Sequence, residues 1–310
     1  MALAVVLLGA LAGFLVAATS GAFAQTTTSD VTTSVVSKYN QAYALTTNDK
    51  LLCFDRDDPS NSNHSQSASI TGLQTGESLV GIDFRTSDGQ LYGVGDQSNI
   101  YQIVTTQDAK TCDNLTAVAT KVSTLTNEKN GNTITLKGKT GMDFNPRTDT
   151  LRIVTSSDQN LRVDDVDTGS TTVQSDLNYA SGDANHGTDP KVTAAAYTNN
   201  LPGAPDITLY DIDTGLDILD TQQLVSDGTL NTQGNLGVNV KSINGFDIVT
   251  TTSGGVATDK AYAALEPSTK DFSILYTVDL SSGAVTKIGK IVDQKGRTIV
   301  AEGLAIPIGG

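Results

Sequence analysis

Histidine is scarce in this chain of 310 residues, which contains only His64 and His186. A Ser or Cys nucleophile needs a histidine base and an orienting acid beside it, and both histidines stand in stretches rich in Ser, Asn or Gly. The sequence also lacks a G-x-S-x-G elbow and an H-E-x-x-H pair, and no Gly-rich phosphate loop stands in a fitting context. These absences argue against a triad hydrolase, a zinc peptidase and a nucleotide-binding enzyme.

Basic residues are also in short supply, with 20 Lys and Arg against 34 Asp and Glu and a formal net charge of -14. Binding to nucleic acid requires a basic face, so we expect no nucleic-acid partner. Hydrophobic residues make up 38% and charged residues only 17%, a balance that supports a folded core rather than a disordered chain. Tryptophan is absent, whereas Thr, Asp, Gly, Ser and Asn are abundant, which favours many short strands joined by turns.

Cysteine occurs only twice, at Cys53 and Cys112, and neither residue has a neighbour at metal-ligand spacing, which argues against a zinc site. In an exported protein an even pair usually forms a disulfide, and the alternative is two separate buried thiols. The triplets that begin at Asn63 and Asn114 have the N-x-S/T form of glycosylation acceptors, a pattern that also arises by chance.

The N-terminal stretch from residue 2 to residue 24 is uncharged and long enough to cross a bilayer as a helix, but no basic residue precedes it. A secretory signal normally begins with positive charge, although Ala22-Phe23-Ala24 has the small-x-small form of a cleavage site. Three interpretations are open: a cleaved signal peptide, a membrane anchor, or a retained hydrophobic α-helix that packs with its copies in a filament core, as in type IV pilin-like subunits. Each implies export, so we expect an extracellular or cell-surface protein that meets the membrane at least transiently.

From residue 40 onward the dominant pattern is short apolar–polar alternation bounded by Gly, Asp, Asn and Ser, which is typical of β-strands and turns. One opening pattern recurs at intervals of roughly 50 to 60 residues, as expected of a repeated β unit. Its copies are GIDF from Gly81, GMDF from Gly141, AAAYTNN from Ala194, GFDI from Gly245 and EGLAI from Glu302. Further strands follow most openings, so the sequence predicts an all-β fold of four-stranded units.

Units of about 55 residues with four antiparallel strands, repeated around a ring, are the blades of a β-propeller. Residues Val300 to Pro307 form a first strand with no blade after it, and residues 41–75 form a blade that lacks its first strand. Joining them would close the ring and hide its strand edges. We therefore expect five four-stranded blades closed by the C-terminal strand, with six as the alternative because the stretch from Asp217 to Lys241 is not assigned.

Several of these motifs occur together: GIDFRTSDGQLYGVG, GMDFNPRTDTLRIVTSSDQNLRVDDVDTG, AAYTNN, TLYDIDTGLDIL, GTLNTQGNLGV and GFDI. In this combination the chain resembles, over roughly residues 40–307, the family of secreted bacterial domains known as domain of unknown function 4394. The resemblance implies a propeller-like domain outside the cytoplasm. It implies no activity and no catalytic residues, and the missing basic start of the N-terminal segment departs from simple secretion.

Four acidic residues occupy similar places in the repeated openings, namely Asp83, Asp143, Asp247 and Glu302. A ring of carboxylates could supply the acid and base of a glycoside hydrolase or hard oxygen ligands for Ca²⁺. Alternatively, each accepts hydrogen bonds from backbone or Arg groups and fixes the first turn of its blade. Repetition favours this structural role, because catalysis needs two carboxylates in different environments. Apart from this candidate Ca²⁺ site, we predict no cofactor.

The densest polar stretch runs from Asn145 to Arg162 and contains three Arg residues and several Asp and Asn residues. Alternation along strands must place some of these side chains between blades. We expect an Arg–Asp network there, and the alternative is a small-ligand or glycan site on one face.

The sequence divides into a hydrophobic segment at residues 1–24, a Thr/Ser-rich linker at 25–39 and a β-domain at 40–310. The favoured function is that of a non-enzymatic extracellular surface protein, in one version a filament or homo-oligomer assembled through residues 2–24. The alternatives are a soluble secreted propeller that binds a glycan or metal ion, and a carboxylate-dependent glycoside hydrolase.

Overall fold

The structure of the protein is a computed structural model that describes residues 40–108 and 111–308. The hydrophobic helix expected at residues 2–24 and the linker at 25–39 lie outside the described residues. Within the two described ranges no helix is long and apolar enough to span a membrane. The helices found there are single 3₁₀ turns at Ser62–His64 and Val225–Asp227.

The described chain is all-β, as the sequence predicted, and it contains twenty-two strands. In chain order they are β1 (Gln41–Thr46), β2 (Lys50–Asp55), β3 (Ser65–Thr71), β4 (Leu79–Phe84), β5 (Leu91–Gly95), β6 (Asn99–Thr106), β7 (Thr116–Thr124), β8 (Thr126–Asn127), β9 (Thr140–Phe144), β10 (Leu151–Thr155), β11 (Asn160–Asp165), β12 (Ser170–Val173), β13 (Asn178–Tyr179), β14 (Val192–Tyr197), β15 (Leu209–Asp213), β16 (Ile218–Leu224), β17 (Thr229–Asn235), β18 (Val240–Ser253), β19 (Val256–Pro267), β20 (Ile274–Val278), β21 (Val285–Lys290) and β22 (Ala301–Ala305).

These strands form antiparallel sets of four, which we number in chain order. The first set has the order β22-β1-β2-β3, the second β4-β5-β6-β7, the third β9-β10-β11-β12, the fourth β14-β15-β16-β17 and the fifth β18-β19-β20-β21. The stretch from Asp217 to Lys241, which the sequence left unassigned, supplies β16 and β17 to the fourth set. As expected, the C-terminal strand β22 completes the N-terminal set by pairing with β1, for example Tyr43 with Ala305.

Short parallel pairings connect the outer strands of neighbouring sets. Strand β3 pairs with β7 and joins the first two sets into one eight-stranded sheet. The two-residue strands β8 and β13, which precede the third and fourth sets, pair in parallel with β12 and β17. Each pairing occupies hydrogen-bonding groups that an outer edge strand would otherwise leave open.

The apolar core consists of five clusters of buried side chains, and each lies between two consecutive sets. The clusters lie between the first and second sets, the second and third, the third and fourth, the fourth and fifth, and the fifth and first. Because the last set packs on the first, the hydrophobic effect holds all five sets together in a closed cyclic order.

The first strands of the sets approach one another very closely, and glycine makes that approach feasible. A Cβ atom on Gly245 would lie 2.4 Å from the backbone nitrogen of Leu304, and one on Gly141 would lie 2.5 Å from the Cα atom of Ala194. Gly141 and Gly245, which begin the GMDF and GFDI motifs, are therefore required by backbone packing between neighbouring sets.

The close approach predicts that Gly245→Ala destabilises the domain by about 1–3 kcal/mol, the usual range for overpacking a tight interior. Gly182→Ala is the matched control, because a Cβ atom there meets nothing within 4 Å. Urea unfolding of both variants and the parent checks the prediction. Equal stability of the two variants would show that the first strands can separate without penalty.

Candidate functional site

Three of the four predicted acidic residues meet at the first strands. Asp83 lies on β4, Asp143 on β9 and Asp247 on β18, and each has at most 2% of its surface exposed. One carboxylate oxygen from each residue lies within 4.8 Å of the corresponding oxygens of the other two. Neighbouring first strands therefore bring together side chains that are far apart in the sequence, and we call these residues the aspartate cluster.

The aspartate cluster accepts hydrogen bonds from the backbone of the same first strands. Asp83 accepts the N–H of Phe144 at 2.8 Å and also that of Phe84. Asp247 accepts the N–H groups of Ile248 and Ile306, both at 2.6 Å.

Asp143 follows the same rule and accepts the N–H of Tyr197. The five donor residues, which occupy equivalent places in the five openings, are Phe84, Phe144, Tyr197, Ile248 and Ile306. Where the first strand of the preceding set carries an aspartate in this motif, the N–H is donated to that aspartate. Where the preceding set carries an alanine, at Ala196 or Ala305, the strand's own aspartate accepts the N–H instead.

Six carboxylate oxygens thus face five backbone donors, and one oxygen is left over. The remaining atom is Oδ1 of Asp143, which is buried and has no hydrogen-bond partner among the described residues. Because it has no N–H partner, this oxygen can carry a proton without displacing a backbone N–H, whereas the oxygens of Asp247 are both occupied. A protonated Asp143 would remain an acceptor through its other oxygen.

Burial dominates the electrostatics of the aspartate cluster. Burial and the nearby charge of Asp247 hold the pKa of Asp83 well above its usual range, against the lowering effect of its two N–H donors. Burial, with the charges of Asp83 and Asp247, does the same to the pKa of Asp143. Burial raises the pKa of Asp247 to about 7, opposed by its two N–H donors and by the charge of Arg56. Three ionised carboxylates in this space would repel one another strongly, so the cluster requires protons or a cation.

A cation is the other way to neutralise the aspartate cluster. Three oxygens that all lie within 4.8 Å of one another leave a centre at most about 2.8 Å from each (4.8/√3), a range that includes the usual Ca²⁺–oxygen distance. Five of the six oxygens already accept one N–H group each, so only Oδ1 of Asp143 has both of its lone pairs available to a cation. The geometry therefore suits protonation better than a tightly held Ca²⁺ ion.

Glu302 does not join the aspartate cluster. The place equivalent to Asp83 and Asp247 in the last opening is taken by Ala305, because Glu302 precedes the glycine of its motif rather than following it. Glu302 is half-buried and lines a cavity of about 50 Å³ together with Thr140 and Asn244. Burial raises its pKa, and the positive charge of Lys139 opposes that rise.

A groove of about 770 Å³ lies between the third and fourth sets. Its lining includes two Arg, two Tyr, four Gln and several Thr residues, and it contains no Asp, Glu or His. The lining residues are Asn145, Thr148, Thr150, Arg152, Arg162, Gln174, Tyr197, Ile207, Thr208, Leu209, Tyr210, Thr221, Gln222, Gln223, Leu224, Val225, Ser226 and Gln233. We refer to it as the inter-sheet groove.

Only part of the predicted Arg–Asp network forms. Arg85 of the second set donates to both oxygens of Asp149 in the third set, at 2.9 and 2.6 Å. Burial acts to raise the pKa of Asp149, but the Arg85 hydrogen bonds outweigh it and the pKa is lowered. Arg162 pairs with Asp164 on its own strand, whereas Arg152 bonds to the amide oxygens of Asn160 and Gln174. The stretch therefore contributes both to the contact between sets and to the inter-sheet groove.

The remaining predicted residues lie away from both features. Cys53 on β2 and Cys112 before β7 form a disulfide, which confirms the predicted pair and links the first two sets. Asn63 and Asn114 are exposed, so glycosylation at either stays a prediction. His64 lies 3.4 Å from a carboxylate oxygen of Asp55, and His186 lies beside the backbone oxygen of Tyr179.

Comparison with known proteins gives a family but no activity. The model of the family described as "Domain of unknown function (DUF4394)" matches residues 50–302. No curated protein matches the chain. Among solved structures, a structural genomics protein of unknown function from Bacteroides thetaiotaomicron VPI-5482 is 17% identical, with a TM-score of 0.44. That match covers 82% of this chain and 59% of the other protein, so this chain spans about three fifths of its length.

The three aspartates accept unequal numbers of backbone N–H groups, so alanine substitution should lower the unfolding free energy by different amounts at each. Asp83→Ala and Asp247→Ala each remove the acceptors of two backbone N–H groups, whereas Asp143→Ala removes one. An unsatisfied buried donor costs about 1–3 kcal/mol, so the first two variants should lose about twice as much unfolding free energy as the third. Urea unfolding at pH 6 tests the order. The donor assignment is wrong if Asp143→Ala is the most destabilising of the three.

The raised pKa values predict that the domain becomes less stable as the pH rises. An unfolded Asp ionises near pH 3.9, so between about pH 4 and pH 8 the native state binds more protons than the unfolded state and stability falls with pH. Asp247, with a pKa of about 7, defines part of this window, and Asp211 and Asp220, whose pKa values burial raises to about 8, extend it. Unfolding free energies measured in EDTA at pH 5, 6.5 and 8 should decrease in that order.

Asp143→Asn should reduce this pH dependence, because the amide keeps an acceptor for Tyr197 but does not ionise. Asp206→Asn is the control, since Asp206 is exposed and lies outside the aspartate cluster. If Ca²⁺ binds the cluster, 5 mM CaCl₂ should instead stabilise the parent most at pH 8, and such stabilisation would contradict the protonated assignment.

Proposed function

Because the chain belongs to the DUF4394 family, which is defined without a function, we propose one from its geometry: residues 40–308 form a non-enzymatic, five-bladed β-propeller of an extracellular surface protein. The carrying observation is that the inward-facing aspartates are committed to backbone N–H groups. They act as structural acceptors between blades and are not available as a catalytic acid and base.

The five-bladed assignment is supported by the strand sets and the core. Each set would be one blade, with β4, β9, β14, β18 and β22 as the inner strands. The five apolar clusters would fill the spaces between blades, including the space between the last and the first. The pairing of β22 with β1 would be the closure that fastens the ring.

The non-enzymatic assignment is supported by the geometry of the aspartate cluster and of the inter-sheet groove. Glycoside hydrolysis needs two carboxyl groups flanking a substrate, about 5–10 Å apart. The aspartate cluster is buried and its oxygens lie within 4.8 Å of one another, and the inter-sheet groove has no carboxylate in its lining. Neither the aspartate cluster nor the inter-sheet groove presents two carboxyl groups with the required separation to a substrate.

The extracellular assignment is supported by the Cys53–Cys112 disulfide, since such bonds persist in oxidising compartments. In the version we favour, residues 2–24 are retained and pack with copies of themselves in a filament core, with the propeller outside. An uncharged segment rich in Gly, Ala, Leu and Val suits packing without water.

An assay of polysaccharide cleavage tests the non-enzymatic assignment. Purified domain incubated with a panel of neutral and acidic polysaccharides should release no reducing ends above the level of heat-denatured protein. Cleavage that is present in the parent and absent in Asp143→Asn would overturn the proposal, because the same variant is expected to fold.

N-terminal sequencing of native protein tests the filament version, with electron microscopy of extracellular material as its second measurement. The expected result is a chain that retains residues 2–24 and filaments decorated with globular domains. A mature chain that begins at Gln25 would eliminate the filament and leave a soluble secreted propeller.

A further inference from the structure

We propose that the inter-sheet groove binds an oligosaccharide that carries carboxylate groups, with Arg152 recognising the carboxylate. The inference goes beyond the proposed function, since it assigns a ligand class to a surface that a structural propeller does not need. Its first support is size, because a cavity of about 770 Å³ falls in the range of small-molecule sites.

The second support is the departure of Arg152 from the repeat. In the second strand of each set, one position lies directly opposite the aspartate position of the first strand. Tyrosine fills this position in four sets, and the third set alone has an arginine there. The opposed pairs are Tyr43 with Ala305, Tyr92 with Asp83, Arg152 with Asp143, Tyr210 with Ala196 and Tyr262 with Asp247. Packing of the repeat is therefore satisfied by tyrosine, and it does not explain why Arg152 is present.

The third support is charge. Arg152 is 4% exposed, and no carboxylate lies within ion-pair distance of it among the described residues. The positive charge of Arg152 acts to lower the pKa of Asp211, but burial outweighs it and raises that pKa to about 8. The Asp211 carboxyl is therefore mostly protonated at neutral pH. A buried guanidinium without an ionised partner is costly, and an anionic ligand in the groove would relieve that cost. The absence of acidic side chains from the lining, in a protein of net charge -14, fits such a ligand.

The fourth support is the floor of the groove, where hydrogen bonds fix the side chains in place and some of their donor and acceptor atoms have no partner. Oδ1 of Asn160 accepts from Nη1 of Arg152 at 2.6 Å and from Nε2 of Gln222 at 3.2 Å, which holds both side chains in place. Nε of Arg152 and Oε1 of Gln222 are buried and have no hydrogen-bond partner in the described structure. One is a donor and the other an acceptor, and sugar hydroxyls can pair with either kind of group.

The groove walls suit the rest of a sugar chain. Thr148, Thr208, Gln223 and Gln233 present hydroxyl and amide groups that donate and accept hydrogen bonds. Tyr210, which is half-buried, offers an aromatic surface with a polar end. These features match a polyhydroxylated ligand, and Arg152 adds the preference for an acidic one.

The test uses a tetramer of galacturonic acid as the probe and a tetramer of galactose as its neutral counterpart, both titrated calorimetrically into the full chain at low salt. The acidic tetramer should bind, and at least about tenfold more tightly than the neutral one, the factor expected of a charge-assisted contact worth roughly 1.4 kcal/mol. Raising the salt to about 0.5 M should weaken binding, since screening reduces the attraction. No binding of the acidic tetramer at millimolar concentration, or equal binding of both, would overturn the proposal.

Arg152→Tyr is the decisive variant, because it installs the residue that the other four sets carry and is therefore expected to fold. It should weaken binding of the acidic tetramer at least about tenfold. Arg147→Gln, which removes one exposed positive charge outside the groove lining, should leave the affinity unchanged. If Arg152→Tyr fails to fold, Arg162→Gln takes its place, with an expected weakening of about fivefold because Asp164 already pairs with this arginine.

Unaltered binding by the folded Arg152→Tyr variant, or by Arg162→Gln where that variant replaces it, would refute the role of the groove, and so would an equal loss in Arg147→Gln. Binding is measured whether or not the ligand is cleaved. Failure of this inference therefore leaves the non-enzymatic assignment intact, and detection of cleavage would not by itself remove the binding site.

Discussion

Five backbone N–H groups at the meeting point of the first strands need acceptors, and this requirement governs the rest of the structure. Each first strand pairs with a neighbour on one side only, so the N–H groups on its other side face the neighbouring first strands. Water has little access there, because the glycine approaches leave almost no space. Asp83, Asp143 and Asp247 supply the acceptors, and three of the five hydrogen bonds cross set boundaries. Hydrogen bonding and core packing therefore depend on the same contacts between neighbouring sets.

The use of three buried aspartates as acceptors also determines the charge at the meeting point of the first strands. Three aspartates provide enough oxygens for five donors, and a fourth or fifth would add buried charge without a donor to accept. Alanine at positions 196 and 305 is thus consistent with the donor count. The carboxylates hold the strands only while their charge is offset, which couples stability to protonation. The three aspartates are also buried, and this shifts attention from the first strands to the groove.

Much of the fold follows from the sequence, and the reasons are local. Alternation and turn residues predicted most of the strands, and the Asp217–Lys241 stretch was missed because β16 and β17 carry Thr, Gln and Asn where an apolar pattern would be expected. The pairing of the terminal strands was predictable because the C-terminal stretch supplies a first strand and the N-terminal stretch supplies a unit that lacks one. The two-residue strands β8 and β13 were not, since they exist only through the outer strands they join.

The candidate sites were harder to predict because they depend on contacts between units. Glu302 was grouped with the aspartates by proximity to its motif, whereas alignment on the following glycine would have identified Ala305 as the equivalent residue. The floor of the groove joins Asn160 to Gln222 over 62 positions, a distance at which no spacing rule applies. One signal was present, however: LYGV, LRIV, LYDI and AYAA align with a single arginine among tyrosines. In a repeated fold the shared residues satisfy the architecture, so a buried exception such as Arg152 needs a separate physical reason, and a ligand provides one.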